Sequence, residues 1–450
     1  MECTPQGTTP TRLRMNQRHS EQGHAQRLLF KQLRFSLMAL LAGAAGGAGV
    51  ALIISLIDLA THQLWGGPVE QALGQAPPLV WSVLLCGGVG LLLSFIHRGG
   101  SSTLLPELLE TMEDLRHPDR APKRDERRAL LGAALAQIGG GSIGPEALMT
   151  RLATLISRWI WKGRDHDLQS ASVAGSLGFF GAPLLGGMVV GERRQDVLRR
   201  WVPGILGGVS GYAAFHGFNE ASGGSLKDLP YVWPANIGES LDTLVAALLA
   251  GAMGCGLGLI FQRWRHWLAQ RQLLEHWCWW PVITGLLLGV CMHWLPLVPF
   301  GGEDQMRPLL ENQQSHSSTL LFVSAFGKLF MLGLCLETGW RGGIFFPVFL
   351  IACATGTGLH QIFPDLGSLG SWCGGLTGAF YGMLLPSPLV VVVLGLALLQ
   401  GHGASGLLVG VAMAHLIKQG TTLGDVPPPP QRTPDSHECP KPQWSSSRPL

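Results

Sequence analysis

Charge is the first thing this sequence has little of. Asp, Glu, Lys and Arg make up 14% of its 450 residues, against about 25% in an average soluble domain. A chain this poor in charge, with 47% hydrophobic residues, does not read as a soluble enzyme of this length. The net charge of +3 is too small to mark a nucleic-acid partner. Tyrosine is nearly missing, 3 residues against 15 Trp. The 9 cysteines are scattered, with no CxxC, which argues against a zinc site or a disulfide framework. Cys86, Cys255, Cys291, Cys335 and Cys353 lie in apolar runs and read as small buried hydrophobes. HExxH, GxSxG and Walker patterns are absent too, so no motif points to an enzyme, a metal or a cofactor.

What is abundant is glycine, 62 residues, or about twice its average share, together with long apolar runs. The latter sit near 36–57, 79–96, 129–139, 147–161, 171–191, 202–216, 243–262, 280–299, 318–336, 344–360, 374–399 and 404–417. Some reach the roughly 20 residues a bilayer crossing needs; others are short or cut by Gly and Pro. Broken helices inside a membrane are tolerated where they are buried in protein or line a wet cavity, so the expectation is an all-α polytopic membrane protein. Residues 1–30 and 421–450 are polar, the second with PPPP at 427–430, and are expected to be disordered tails around a membrane domain spanning 31–420. The polar start, with Arg12, Arg14, Arg18 and Arg27, lacks the features of a signal peptide.

The breaks recur in a pattern. Gly144-Pro145-Glu146 opens one run, and Ala182-Pro183-Leu184 breaks the next 38 residues after Pro145. Gly343 to Pro347 opens a later run, and Ser387-Pro388-Leu389 breaks the next 41 residues after Pro347. Matching interruptions in two halves point to a transport site between repeats, here about 36–200 and 240–418. Arg and Lys collect at 12–34, 116–128, 162–164, 193–200 and 263–271, whereas 217–242 and 301–316 are acidic. The positive-inside rule makes the first set cytoplasmic, with both termini, and the second external.

Three helix starts could carry chemistry. Gly139 to Gly144 frees the backbone, Pro145 suits a first helical position, and the helix start offers unpaired amides to an anion. Glu146 falls in that positive spot: ionised, it can occupy the anion site itself, and protonated, it can leave. First-turn acids are also favoured at any helix start, but an ionisable residue in a membrane run is a functional candidate. Ala147 follows it. Gly342-Gly343-Ile344-Phe345-Phe346-Pro347 offers the same chemistry without a carboxylate, or else a packed Gly-rich break. The hydroxyls of Ser102 and Thr103 precede a third start, as N-caps or as anion donors, with the cap favoured. Glu192 either pairs with Arg193 or Arg194 or accepts protons at the inner side. Lys328, alone in an apolar run, is expected to be paired or snorkelling. Glu337 and Arg341 are expected to pair across a helical turn.

These motifs resemble those of the CLC chloride channels and chloride/proton antiporters over most of 36–420. GGIFFP at 342–347 is similar to the family's GGIFAP, and Ile143 to Ala147 resembles its LGREG with Pro145 in place of Arg. Arg158 to Asp167 followed by Gly181-Ala182-Pro183-Leu184 looks like its basic loop and NAPL segment, and Lys328 is similar to a basic residue seven before Cys335. The departures are specific. GSGIPE becomes Ser102-Thr103-Leu104-Leu105-Pro106-Glu107, the inner glutamate of the antiporters falls on Arg193, and GSGAPGG becomes Glu337 to Gly343. No tyrosine stands near the last helix, since Tyr212, Tyr231 and Tyr381 are the only ones.

The resemblance implies a CLC-like inverted repeat of tilted and broken helices and a homodimer in membrane lipid, in the bacterial inner membrane. It implies transport of chloride or a similar small anion, with protons as a second partner and Glu146 as gate. Ser102, Thr103, Gly144, Glu146, Ala147, Ile344, Phe345 and Phe346 would line the anion path, and Glu192 would be the candidate inner proton site. Arg193 at the antiporters' acid position favours a passive channel or uncoupled carrier as the alternative. A non-conducting scaffold or sensor, whose glycines serve packing alone, is the alternative from another class.

Overall fold

The computed structural model describes residues 10–66, 78–116, 121–161, 166–180, 197–222, 231, 233, 241–276, 278–314 and 316–420. Among these residues the structure is helical, and extended pairing is confined to one isolated bridge between Gly144 and Gly343. The first half holds α1 (Pro10–Trp65), α2 (Leu79–Ile96), α3 (Leu108–Arg116), α4 (Glu126–Ile138), α5 (Glu146–Trp161), α6 (His166–Ser176) and α7 (Val197–Ala221). The second holds α8 (Leu241–Gln270), α9 (Trp280–Trp294), α10 (Glu303–Glu311), α11 (Ser318–Glu337), α12 (Phe345–Ile362), α13 (Leu369–Leu384), α14 (Pro388–Leu399) and α15 (Ala404–Gly420). Helix already begins at Pro10, where the sequence reading expects a tail disordered to residue 30. Most of 10–30 are residues that extend a helix at little cost, and α1 continues directly into its apolar run. Residues 1–9 and 421–450 lie outside the described part.

Among the described residues five helices are long and apolar enough to cross a membrane, over Phe30–Trp65, Leu79–Ile96, Asp242–Gln270, Ser318–Glu337 and Phe345–Ile362. The peripheral ones present apolar side chains outward. Leu37, Leu41, Leu52 and Leu56 of α1 and Leu244, Leu248 and Leu249 of α8 are exposed, as a lipid-facing surface requires. By contrast α12 and α13 are buried almost throughout, including Phe346, Phe349, Trp372 and Phe380.

Glycine explains how helices with few polar contacts pack so closely. In the first half Gly43 of α1 lies against the backbone of Gly207 in α7, and Gly175 of α6 lies against Gly43. In the second half Gly374 of α13 meets the Gly403 carbonyl at the start of α15, and Gly375 meets Ala247 and Ala250 of α8. Each trio is therefore in close backbone contact, of the kind that small residues permit between membrane helices. Between halves, Gly285 and Gly289 of α9 rest on Cys86 and on Ser82 and Val83 of α2.

Candidate functional site

The two Gly-rich breaks meet. The Gly144 amide donates to the Gly343 carbonyl at 2.8 Å and the Gly343 amide donates back to Gly144 at 2.6 Å, the doubly bonded pair of an antiparallel ladder reduced to one rung. From that rung α5 and α12 start with Glu146 and Phe345, so two helix N-termini are fixed beside each other. The first break is anchored further by Trp65, whose Nε1 donates to the Ile138 carbonyl at 2.8 Å, and by the Phe300 amide donating to Gly140 at 3.1 Å.

Glu146 is 1% exposed. Its carboxylate reaches across the rung, where Oε1 accepts the amide of Phe345, and the Phe346 amide acts on it as well. Oε2 is buried with no hydrogen-bond partner among the described residues. The carboxylate therefore occupies the N-terminus of the other half's helix, where unpaired amides and the helix dipole stabilise negative charge. Space for it comes from two missing side chains: a Cβ at Gly343 would fall on the Glu146 carboxyl carbon, and one at Gly144 on Oε2.

Aromatic rings close the surroundings. Phe180 stacks on Phe346 at 5.2 Å and 12° and tilts against Phe345 at 5.7 Å, and Phe179 meets Phe346 edge-on at 5.4 Å. Tyr381 of α13 is fully buried, and its hydroxyl donates to the Phe345 carbonyl at 2.6 Å. Sequence reasoning missed this residue, because it searched for a tyrosine near the last helix. The tyrosine arrives from another helix, 36 residues beyond the peptide it contacts, and only its rarity in the chain could have drawn attention to it.

The expected site residues thus divide. Gly144, Glu146, Ala147, Ile344, Phe345 and Phe346 come together around the rung. Ser102 and Thr103 lie on a separate 3-10 turn, His97–Thr103. The Thr103 hydroxyl lies 2.8 Å from the Gly100 carbonyl and 3.0 Å from His97 Nδ1, while His97 Nε2 lies 3.0 Å from the Gly339 carbonyl. A carbonyl only accepts, so Nε2 of the neutral ring carries its proton, and the single Thr103 hydroxyl proton is shared between Nδ1 and the Gly100 carbonyl. The Thr103 hydroxyl is thereby spent on a frame that holds the loop leading to Gly342. It caps no helix, since α3 starts only at Leu108. Glu192 and Arg193, like Gly181 to Leu184, lie outside the described residues.

Two expectations about charges need correction. Lys328 does not snorkel: its ammonium donates to the carbonyls of Val298, Pro299 and Phe300 at 3.1, 3.3 and 2.8 Å, matching three protons to three acceptors. Glu337 and Arg341 do not share a helical turn, because α11 ends at Glu337. Arg341 bonds Glu107 at 3.1 Å, and Arg265 of α8 bonds both Glu337, at 3.1 Å, and Glu107. This buried cluster ties the start of α3 to the second half. A further missed residue is Arg151 of α5, 3% exposed, whose Nε donates to Glu126 at 2.9 Å and whose Nη1 reaches Asp114 at 3.1 Å.

Paired helix N-termini with a carboxylate seated on them, inside an all-helical membrane fold, define a class of proteins with an anion-type seat between repeats. The sequence profile described as "Voltage gated chloride channel" matches residues 83–419, and the chain belongs to that family. The Shigella flexneri protein YfeO is 25% identical over 361 residues, which cover 74% of this chain and 80% of YfeO. Among solved structures, a slow cyanobacterial Cl-/H+ antiporter aligns with a TM-score of 0.70 at 19% identity, covering 85% of this chain and 94% of its own. A CLC-type fluoride/proton antiporter aligns with a TM-score of 0.66 at 15% identity, covering 87% and 96%. At those identities the two structures bear on the fold, which is the CLC fold.

Proposed function

We propose that this protein carries chloride or a similar small anion across the membrane in exchange for protons, with Glu146 as the gate. One observation carries the reading: the Glu146 carboxylate accepts the Phe345 amide at the start of α12. A carboxylate held there is a tethered substitute for the anion. Protonation removes its charge and weakens its hold on the amides, so the side chain leaves and a free anion takes the seat. Deprotonation reverses the exchange, and one residue thereby links anion and proton movement. Membership of the chloride channel family and the fold shared with a chloride/proton and a fluoride/proton antiporter support this reading. They leave chloride and fluoride as the anions to compare first. Gly144, Ala147, Ile344, Phe345 and Phe346 form the seat, Ser102 its inner approach, with Thr103 holding the frame beside it, and Glu192 the inner proton site. The protein works as a homodimer in the bacterial inner membrane, with both termini cytoplasmic and no covalent chemistry.

A second reading, passive conduction, rests on Arg193 at the position where antiporters of the family carry an acid. Both are tested by anion efflux from proteoliposomes with external pH recorded, for wild type and Glu146→Ala. The expected result is efflux with proton uptake, with the mutant keeping efflux and losing proton movement. Efflux at constant pH selects passive conduction. No efflux of chloride, fluoride or nitrate would overturn transport and favour a scaffold.

A further inference from the structure

A second carboxylate repeats the geometry of Glu146. Gly144-Pro145-Glu146 and Gly301-Gly302-Glu303 each place a glycine two residues before a glutamate that opens a helix, α5 and α10. In both, the carboxylate folds back over that glycine, so a Cβ on Gly144 or on Gly301 would strike a carboxylate oxygen. Gly302 has φ +111°, a left-handed conformation that excludes most side chains. A methyl group there would lie 3.4 Å from the Phe346 carbonyl and 2.9 Å from Leu350 Cβ. The start of α10 is thus pressed against the first turn of α12, whose amides hold Glu146.

Glu303 is 8% exposed and Glu146 1%. The charge of Glu303 acts on both Glu146 and Lys328. On its own helix the next charged groups are Asp304 and Arg307. From α12 the groups packed against Gly302 are the Phe346 carbonyl and the Leu350 side chain, which do not titrate. Lys328 is held in place by the carbonyls of 298–300, directly before Gly301 and Gly302. Glu146 and Glu303 are thus two buried carboxyl groups beside one buried ammonium, and a charge left uncompensated in such a place is costly. One turn further along α10, Arg307 and Glu311 pair at 2.9 Å with side chains 52% and 39% exposed, so the helix runs from the site to the surface.

We infer that Glu303 is the proton-relay carboxylate on the acidic, external side of Glu146. A proton held by Glu303 passes through an intervening water to the Glu146 carboxylate, leaving Glu303 as a carboxylate that takes the next proton from external water. Reversal runs the same step backwards. The inference rests on the coupled-transport reading.

The test compares full-length wild type, Glu303→Gln, Glu303→Asp and Glu146→Gln in proteoliposomes, reading chloride efflux and external pH together, with fluoride as second anion. The expected result for Glu303→Gln is proton movement reduced at least about tenfold, below the roughly hundredfold that a positioned acid commonly contributes, and fewer protons moved per anion than in wild type. Glu303→Asp should retain coupling at a lower rate. Coupling undiminished in Glu303→Gln, in a wild type that is coupled, overturns the relay and leaves the transport reading standing. A wild type that moves anions at constant pH overturns the relay and the coupled reading together. Should Glu303→Gln fail to assemble, Glu303→Asp decides: proton movement slowed more than efflux supports the relay, and equal slowing overturns it.

Discussion

At the Gly144 break a helix begins with a carboxylate; at the Gly343 break it begins with two phenylalanines. The backbones are alike, each contributing one amide and one carbonyl to the shared rung. One side supplies the mobile negative charge and the other the amides that receive it. No reciprocal filling exists, since the first turn of α12 carries no acid that could seat itself on the start of α5. The asymmetry shows that a repeat can specialise without changing its main chain: one half becomes the ligand, the other the receptor.

That division can be broken most severely where the halves are tied. Arg265→Ala would remove the cation shared by buried Glu337 and half-buried Glu107, which keeps Arg341, and should destabilise the fold by about 3 kcal/mol, the low end of what losing one member of a buried ion pair costs. Thermal unfolding of the detergent-solubilised protein measures it. Gly343→Ala comes next, because its methyl would displace the Glu146 carboxyl; overpacking of this kind costs about 1–3 kcal/mol. The comparison becomes sharper in a double mutant. In a Glu146→Ala background the same Gly343→Ala change should cost much less, and unchanged cost there would mean the methyl clashes with something other than the carboxylate. Tyr381→Phe is the mildest, removing a hydrogen bond to the Phe345 carbonyl worth about 0.5–1.5 kcal/mol. Its expected signature is a small drop in unfolding temperature with anion efflux retained.

The elements of this comparison were unequally legible in the sequence. Both breaks could be read because Gly and Pro mark an interrupted membrane helix by themselves, and Glu146 stood out as an acid within an apolar run. Their meeting, rung and all, could be expected only from the repeat and the family resemblance. Thr103 shows the opposite case: its residue type suits an anion donor, but His97, six residues earlier, and Gly100 claim its hydroxyl. Tyr381, Arg265 and Glu303 were not legible as site neighbours. Their roles come from contacts between segments far apart in sequence, and no local spacing encodes such contacts. Lys328 was noticed as an isolated cation, yet its partners are carbonyls, which every residue owns and no sequence pattern distinguishes.

The rung between Gly144 and Gly343 has a consequence for how such a protein can diverge. Its two bonds involve main-chain atoms alone, so almost any exchange of neighbouring side chains leaves the fastening intact. The residues lining the seat are then free to drift, altering which ion is preferred, while the distance between the two helix ends stays constant. A lineage can thus change its cargo through point substitutions without first rebuilding the frame that presents it.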